Sequence, residues 1–195
     1  MNQPAGELIL ASASPRRADL LRELGYTFTI VPASVPEPDL TGTALSPAEQ
    51  AEVSSFFKAA VVATQHPDAI VLGADTIAAA EGRVFGKAVD VDHAREILTA
   101  LAGTTHEVIT GVTLLSPHSP NRLITHAVTK VTMHTLSESE MTSYLDSEMW
   151  QGKAGAYGIQ EHDDPFVARI DGSFSNVVGL PTELIERLFA AICPG

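Results

Sequence analysis

The apolar run Ala69–Ala74 is the segment that most restricts how this chain can fold. A near-continuous run of this kind is typical of a central β-strand that is covered on both faces. The run ends in Asp75 and Thr76, and an acid at the end of a buried strand is where open α/β sheets commonly place their chemistry. Asp75 could instead cap a helix, but Ile77–Ala80 indicates more strand or an extended bend. The sequence therefore predicts an α/β protein in which Asp75 is a candidate functional acid.

A strand, a tight turn and a helix open the chain. Leu8–Ala11 predicts a short buried strand, and apolar residues at helical spacing follow it. Ser14 is placed to cap this helix, with a proline at the first helical position. Arg16 and Arg17 fall in the first turn, where the helix dipole disfavours cations. They suit an anion bound by the helix amides and both guanidinium groups, and two solvated surface arginines remain the alternative.

The composition limits the class of protein. The 195 residues carry a formal net charge of −12, which argues against an extended nucleic-acid surface and gives no reason to expect binding to an anionic membrane. The 45% hydrophobic content suits one compact domain, or one domain with two lobes. The lone Cys193 cannot form an internal disulfide, and neither a signal peptide nor a membrane-spanning run is apparent. We therefore expect a soluble protein of the cytoplasm.

The remaining elements follow from local signals. Helices are predicted from the capping box Ser46–Glu49 to about Gln65, after the cap Asp90, from the capping box Ser137–Glu140 to near Ser147, and after Pro181. Strands are predicted over Phe28–Val31, Arg83–Phe85, His106–Ser116, Arg122–Thr135 and Phe166–Ile170, with a hairpin connection at Pro117–Asn121.

Several isolated charges lie in short segments rich in glycine, alanine or proline. Glu37 is held between two prolines, which stiffen the loop, although an ordinary exposed loop acid would look the same. Lys58 is placed mid-helix, where its stem could also lie over the core with the amine in water. Lys87 follows a glycine. Lys153 opens a glycine-rich stretch that Gln160 closes, and small residues there allow close backbone approach to a ligand.

These charges favour phosphate chemistry over the alternatives. The histidines lack metal-ligand spacing, and His162–Asp164 is better explained as a solvated loop than as a metal site. No P-loop, dinucleotide-binding pattern or nucleophile elbow is present. The basic residues suit a polyanion such as a triphosphate, and Glu37 and Asp75 suit a hard divalent cation. Phosphoryl transfer needs this mixture of charges.

Motifs along essentially the whole chain resemble the Maf family of nucleoside triphosphate pyrophosphatases. The motifs are Ser12–Arg17, Phe57–Ala59, Gly73–Thr76, Lys153–Gln160 and Val178–Pro181. The resemblance implies a single domain over residues 1–195, with an α/β fold of mixed central sheet and flanking helices. It implies two lobes around a cleft, similar to inosine triphosphate pyrophosphatases, and often a homodimer.

The resemblance also implies an activity and roles for individual residues. The expected reaction is metal-dependent cleavage between the α and β phosphates of dTTP or UTP, with Mg²⁺ or Mn²⁺ and with Asp75 as proton acceptor. Further catalytic residues would be Lys58, Lys87 and Lys153, and substrate specificity would depend on Arg16, Thr76 and Gln160. The phosphates would be bound by Ser14, Arg16, Arg17, Lys58 and Lys87. The metal would be bound by Glu37 and Asp75.

Other functions stay open at this stage. The resemblance extends to cell-division arrest, so a regulatory inhibitor of septum formation that acts through a protein partner is one alternative. A pyrophosphatase for 7-methyl-GTP or another modified nucleotide is a second. The dTTP/UTP enzyme that the resemblance implies would itself extend to modified pyrimidine nucleotides, help to keep non-standard nucleotides out of nucleic acids and take part in cell-division arrest. Two segments depart from the family pattern: Ala88 replaces a proline after Gly-Lys, and Ser147–Trp150 replaces Gly-Glu-Pro.

Overall fold

The computed structural model describes residues 6–117, 122–159 and 166–192. The strands are β1 (Leu8–Leu10), β2 (Thr29–Ile30), β3 (Ile70–Ala80), β4 (Arg83–Phe85), β5 (Thr105–Leu115), β6 (Leu123–Met133) and β7 (Val167–Asp171). The helices are α1 (Pro15–Glu23), α2 (Pro47–Gln65), α3 (Val91–Leu101), α4 (Glu138–Asp146), α5 (Phe174–Val178) and α6 (Thr182–Ile192). The predicted elements are therefore present, with ends that shift by a few residues.

The strands form one mixed seven-stranded sheet in the order β2-β1-β3-β5-β6-β7, with β4 paired to β3. β1 is parallel to β2 and to β3, whereas β3, β5, β6 and β7 pair antiparallel in turn. This arrangement confirms the predicted α/β class with a mixed central sheet. No helix in the described residues has the length and apolar character that crossing a membrane would need.

Asp75 lies in the middle of a strand, and its prediction at the end of one was wrong. The strand β3 continues to Ala80 because β5 pairs with it along almost its whole length. On the other edge, β1 pairs only with Ile70–Leu72 and β4 only with Ala78–Ala80. No described strand pairs with the edge of residues 73–77 between them, so Asp75 lies beside a gap in the sheet.

The two faces of β3 meet different helices. Gly73 and Gly111 let α2 pack very closely on one face, because a Cβ at either glycine would overlap a backbone carbonyl of α2. Side chains alternate along a strand, so Asp75 points to this face, as Gly73 does. Thr76 points to the opposite face, towards α1 and α5.

That opposite face carries two apolar cores with polar groups between them. One core joins β1 and β3 to α1 and α6 around Leu72 and Phe189, and the other joins β4 and β5 to α3 and α4 around Leu98. Between them lies a layer of buried or half-buried polar side chains, here called the polar layer: Arg17, Thr76, Thr110, Thr129 and Asn176. Polar groups buried in this way need hydrogen-bond partners, which most of them find in one another and in nearby backbone carbonyls. Asn176 Oδ1 has no partner within the described residues.

Local signals were correct at most helix ends. Ser46 and Ser137 form the predicted capping boxes, and Asp90 accepts from the amide of His93. Ser14 occupies the predicted N-cap position, but its side chain makes no cap hydrogen bond to the helix amides, which all lie in the described residues. Its backbone N–H instead donates to Ser12 Oγ at 3.2 Å. The start of α1 therefore keeps its amides available to another acceptor.

Candidate active site

A cleft of about 470 Å³ lies at the gap in the sheet edge. Its walls come from the turn between β1 and α1, from the loop after β2, from α2, from the segment around Lys87, and from residues 151–159 and 177–179. Predicted site residues that line it are Ser14, Arg16, Arg17, Glu37, Lys58, Thr76, Lys87 and Lys153. The fold thus brings together groups that are up to 139 positions apart in the sequence, from Ser14 to Lys153.

A lysine between two carboxylates forms one wall of the cleft. Lys58 Nζ is 2.5 Å from Asp75 Oδ1 and 3.0 Å from Glu37 Oε2. The side chains of Lys58 and Asp75 are only 10% and 15% exposed, whereas that of Glu37 is 49% exposed. The alternative of a lysine amine in water is therefore wrong, and Glu37 is not an isolated loop acid. We call these three residues the acid–lysine–acid cluster.

Asp75 is connected to the cleft indirectly, by its contact with Lys58. It is not among the described residues that line the cleft, but its carboxylate contacts Lys58, which is. Thr76 lines the cleft from the other face of the sheet. The two neighbours in sequence therefore act on different sides of the gap, because side chains alternate along a strand.

Arg17 is buried and its guanidinium contacts the protein itself. Nε donates to the carbonyl of Gly179 at 2.8 Å, Nη1 to Ser12 Oγ at 3.1 Å, and Nη2 to Thr76 Oγ1 at 2.9 Å. Burial lowers the pKa of Arg17 from its ordinary value, and Asp75 acts in the opposite direction. Arg17 thus ties α1, β3 and the end of α5 together beneath the cleft.

Arg16 lies at the rim. Its Nη2 donates to the carbonyl of Gly152 at 3.2 Å, in an exposed position. This contact joins the start of α1 to the glycine-rich stretch on the far side of the cleft. Together with the uncapped amides of the first helical turn, Arg16 presents positive charge to the cleft.

Lys87 and Lys153 lie on two segments that pair with each other. Lys87 and Ala154 form an isolated antiparallel bridge, and the N–H of Gly155 donates to the carbonyl of Gly86 at 3.0 Å. Backbone pairing thus holds the segment in which Ala88 replaces a proline. Burial lowers the pKa of Lys87, and the nearby positive charges of Lys58 and Arg17 lower it further. The shift indicates that cations converge on one place.

Lys153 is buried and runs directly over Gly158. A Cβ at Gly158 would come within 2.6 Å of Lys153 Cδ and Cε. A side chain at position 158 would therefore displace the lysine. Gly158 therefore leaves the space that the stem of Lys153 occupies at the cleft.

The sequence analysis did not identify a buried histidine behind the cleft. His106 Nε2 lies 2.6 Å from the hydroxyl of Tyr157, which lines the cleft. Burial lowers the pKa of His106 to about 4, so the ring is neutral at physiological pH. Its Nδ1 has no hydrogen-bond partner within the described part of the chain. No sequence signal links His106 to Tyr157. Thr110, a member of the polar layer, could have been noticed from the sequence, because it is a polar residue inside an otherwise apolar strand.

Four predicted features cannot be placed. Gln160 and His162–Asp164 lie outside the described residues, as do Cys193 and most of the hairpin connection after Pro117. Within residues 6–117, 122–159 and 166–192, no group of three or more His, Cys, Asp or Glu side chains is placed to hold a metal ion. A cation at Glu37 and Asp75 would therefore need further ligands from water or from a substrate.

The fold and the site define a mixed α/β protein whose cleft is suited to a small phosphorylated anion. The family model for Maf-like proteins matches residues 7–192, and the chain belongs to that family. The resemblance seen in the sequence motifs is thereby confirmed.

Relatives of similar length support the same assignment. A dTTP/UTP pyrophosphatase of Pelotomaculum thermopropionicum is 44% identical over 90% of this chain and 91% of its own. A dTTP/UTP pyrophosphatase of Moorella thermoacetica is 44% identical over 94% of both chains, and one of Myxococcus xanthus is 43% identical over 96% of this chain and 95% of its own. The solved structure of the Staphylococcus aureus Ham1 protein is 14% identical, with a TM-score of 0.44 over 65% of this chain and 71% of that chain.

Proposed function

We propose that this protein hydrolyses dTTP and UTP to the nucleoside monophosphate and pyrophosphate. The observation that carries the proposal is the acid–lysine–acid cluster, set in a cleft that four further cations line: Arg16, Arg17, Lys87 and Lys153. Relatives that span nearly the whole chain and are named dTTP/UTP pyrophosphatases support this substrate class.

The cationic groups at the cleft would hold the triphosphate. Arg16 and the first-turn amides of α1 approach from one side, and Lys87 and Lys153 from the other. Hydrogen bonds from charged donors to phosphate oxygens are short and strong, and helix amino ends favour anions. Ser14 lies at the same helix end, with its hydroxyl not used for capping. The chain's strongly negative net charge makes this local excess of cations significant.

Asp75 would accept the proton of the attacking water. A new bond would form between the water oxygen and the α-phosphorus, while the bond from that phosphorus to the α–β bridging oxygen breaks. The 2.5 Å contact with Lys58 fixes the orientation of the Asp75 carboxylate at the gap. Positioning and charge stabilisation account for most catalysis of phosphoryl transfer.

The acid–lysine–acid cluster fits a divalent cation such as Mg²⁺ or Mn²⁺. Glu37 Oε2 and Asp75 Oδ1 are both ion-pair partners of one nitrogen, so they can be no further apart than the sum of those two distances. Mg²⁺ characteristically takes one or two carboxylates and completes its shell with water and phosphate oxygens. When bound, the cation would neutralise charge that develops on the phosphates. Lys58 would then be free to turn from the carboxylates to a phosphate oxygen.

Gln160, Thr76 and Arg16 would set the choice of base. An amide can accept from the ring N–H of uracil or thymine and donate to an adjacent carbonyl, whereas cytosine presents the opposite pattern. With a cytosine nucleotide, polar groups of the amide and the base would be left unpaired, which destabilises its binding by roughly 1–3 kcal/mol and lowers its rate about ten- to a hundred-fold. We expect Gln160→Ala to reduce the preference for UTP over CTP and GTP. Unchanged ratios with a loss of stability would make Gln160 a structural residue.

A nucleotide panel tests the reaction. UTP, dTTP, CTP, GTP, modified pyrimidine triphosphates and 7-methyl-GTP are incubated with the protein and Mg²⁺ or Mn²⁺, and pyrophosphate and orthophosphate are measured separately. We expect pyrophosphate from UTP and dTTP, and no turnover in excess chelator. Release of orthophosphate with a diphosphate product would contradict the reaction, and a clear preference for 7-methyl-GTP would contradict the substrate.

Asp75→Asn tests the proton acceptor. The substitution is nearly isosteric, and Lys58 keeps Glu37 as a charged partner. We expect the thermal melting curve to stay close to that of the parent, while the rate falls by roughly 10²–10⁴-fold. A folded variant that retains activity within a few-fold would show that Asp75 is not the base.

Location and assembly belong to the same proposal. We expect the enzyme to act in the cytoplasm, where nucleoside triphosphates are made and used, and to form a homodimer. Analytical ultracentrifugation of the purified chain would measure its oligomeric state, and a monomer at micromolar concentration would contradict the dimer.

A further inference from the structure

We propose that Arg17 is a positioning residue rather than a phosphate ligand: it fixes the Thr76 hydroxyl so that this group offers a bound nucleotide only a hydrogen-bond acceptor. The inference rests on the proposed function, because it concerns how the same cleft recognises its substrate. It changes the expectation from sequence, which placed Arg17 among the phosphate-binding residues.

The contacts of Arg17 carry the first step. All three guanidinium nitrogens donate to the protein, to Gly179, Ser12 and Thr76, at 2.8, 3.1 and 2.9 Å. The residue is only 8% exposed, and these partners lie on three separate segments. Turning the guanidinium towards a phosphate would break this set and leave buried acceptors unpaired, which is costly. Arg17 therefore keeps its orientation when a ligand binds, with three of its five N–H groups committed to the protein. The pyrophosphate measurement described below decides whether the other two contact phosphate.

The hydrogen-bond chain through the polar layer carries the second step. The hydroxyl of Thr110, which is fully buried, donates to the carbonyl of Asn176 at 3.2 Å. Thr110 Oγ1 therefore accepts from Thr76 at 3.0 Å. The other acceptor near Thr76, the carbonyl of Gly179, is 3.4 Å away and already accepts from Arg17. If Thr76 donates to Thr110, the chain uses contacts of 3.0 and 3.2 Å, whereas the reverse direction requires Thr76 to donate to Gly179 across 3.4 Å. The shorter set is the stronger one, and we therefore assign the proton of Thr76 to the bond with Thr110.

The direction of these hydrogen bonds decides whether the Thr76 hydroxyl acts as a donor or as an acceptor towards a ligand in the cleft. Thr76 has given its proton to Thr110 and has used one lone pair to accept from Arg17. A hydroxyl has two acceptor sites, so one remains on the side that lines the cleft. The nucleotide group that meets Thr76 must therefore be a donor.

Two parts of a nucleotide can supply that donor. The ring N–H of uracil and thymine is one, in which case Thr76 and not the Gln160 amide accepts it, and cytosine carries a bare acceptor at the same ring position. A sugar hydroxyl is the other. Both share the chemistry of an N–H or O–H directed at Thr76 Oγ1, and the experiment separates them by changing the base and the sugar independently.

The test compares Arg17→Met, Arg17→Lys and Thr76→Val. For each variant, kcat/KM is measured for UTP against CTP, and for dTTP against its 3′-deoxy analogue. The inhibition constant of pyrophosphate is measured alongside. We expect one of the two selectivity ratios to fall about 10- to 100-fold in each variant, and pyrophosphate inhibition to stay within about three-fold of the parent. Lysine cannot replace the three-point fork of arginine, so Arg17→Lys should behave as Arg17→Met does.

A double variant shows that Arg17 acts through Thr76. In the Thr76→Val background, Arg17→Met should cause no further loss of selectivity, because the hydroxyl it positions is already absent. Arg22→Met serves as the matched control, since Arg22 lies on the same helix in an exposed pair with Asp19. If Arg17→Met fails to fold, Thr76→Val still tests the acceptor and Arg17→Lys still tests the fork.

Weaker pyrophosphate inhibition, with an equal loss for all four triphosphates, would make Arg17 a phosphate ligand and overturn the inference. Unchanged selectivity ratios in folded Thr76→Val would overturn it as well. Failure of the proposed function would look different, because the parent protein itself would then release no pyrophosphate from UTP or dTTP.

Discussion

Replacing Lys58 by methionine removes the ammonium from the acid–lysine–acid cluster while keeping an apolar stem of similar length. Asp75 is left with a buried negative charge whose partner had been 2.5 Å away. Breaking a buried ion pair by removing one partner costs about 3–5 kcal/mol. Glu37 is half-exposed and can turn to water, so it adds little. We therefore expect the free energy of unfolding to fall by about 3 kcal/mol.

Urea unfolding at neutral pH in excess chelator measures this loss. Lys130→Met is the matched control, because Lys130 is an exposed lysine on β6 and the chemical change is the same. Substitutions at such surface positions usually change stability by about 0.5 kcal/mol or less.

A divalent cation should reverse much of the loss. Without the ammonium, Glu37 and Asp75 have no competing cation between them. A ligand that binds only the folded state stabilises it by about 2.7 kcal/mol at a hundred times its dissociation constant. Mn²⁺ or Mg²⁺ should therefore stabilise Lys58→Met more than the parent. A destabilisation below about 1 kcal/mol would refute the buried pair, and a variant that gains no stability from metal would refute the cation site.

Three further predictions concern the surroundings of the cleft and the frame that holds it. Burial lowers the pKa of His106 to about 4. Between the unfolded and the folded pKa, this histidine is therefore protonated in the unfolded chain and neutral in the folded protein. The contribution of His106 to the free energy of unfolding should therefore be fully present above pH ~6.5 and fall by about 1.4 kcal/mol per pH unit from there to the folded pKa. Urea unfolding across this range should show a shallower fall for His106→Gln than for the parent. The exposed control His134→Gln should show the same fall as the parent. In Gly158→Ala the new methyl group displaces Lys153, so kcat/KM should drop at least roughly ten-fold with little change in the melting temperature, and a fully active variant would remove Lys153 from the mechanism. Ser46→Ala breaks a capping box at the start of α2. The free energy of unfolding should fall by about 1 kcal/mol, with the kinetic constants of hydrolysis unchanged. An unchanged free energy of unfolding would show that the box does not stabilise the helix.

Most of the helix ends could be predicted because their causes are local. A capping box needs only two residues three positions apart, as at Ser46 and Ser137, and the structure has both. Gly25 lies just past α1 with φ 77°, the left-handed conformation in which glycine commonly ends a helix. Ser14 shows the limit of this reasoning, because a nearby hydroxyl, that of Ser12, binds its backbone and the cap is not made.

The candidate site was predicted as a set of residues but not as an arrangement. Glu37, Lys58 and Asp75 were singled out from their separate settings, and nothing in the sequence placed one lysine between the two acids. Pairing between distant strands decided that Asp75 lies mid-strand at a gap, since β1 is too short to cover β3 and β4 begins beyond it.

The sequence by itself determined the chemistry that this chain carries and the elements on which it is carried, because residue types, caps and apolar periods are local properties. Only the tertiary structure decided which groups meet. Asp75 and Thr76 are neighbours in sequence and lie on opposite faces of β3, whereas Thr76 and Arg17, far apart in sequence, share a hydrogen bond. His106 and Tyr157 meet in the same way behind the cleft. The physical reason is that a sheet alternates its side chains and brings together strands whose pairing no short stretch of sequence encodes.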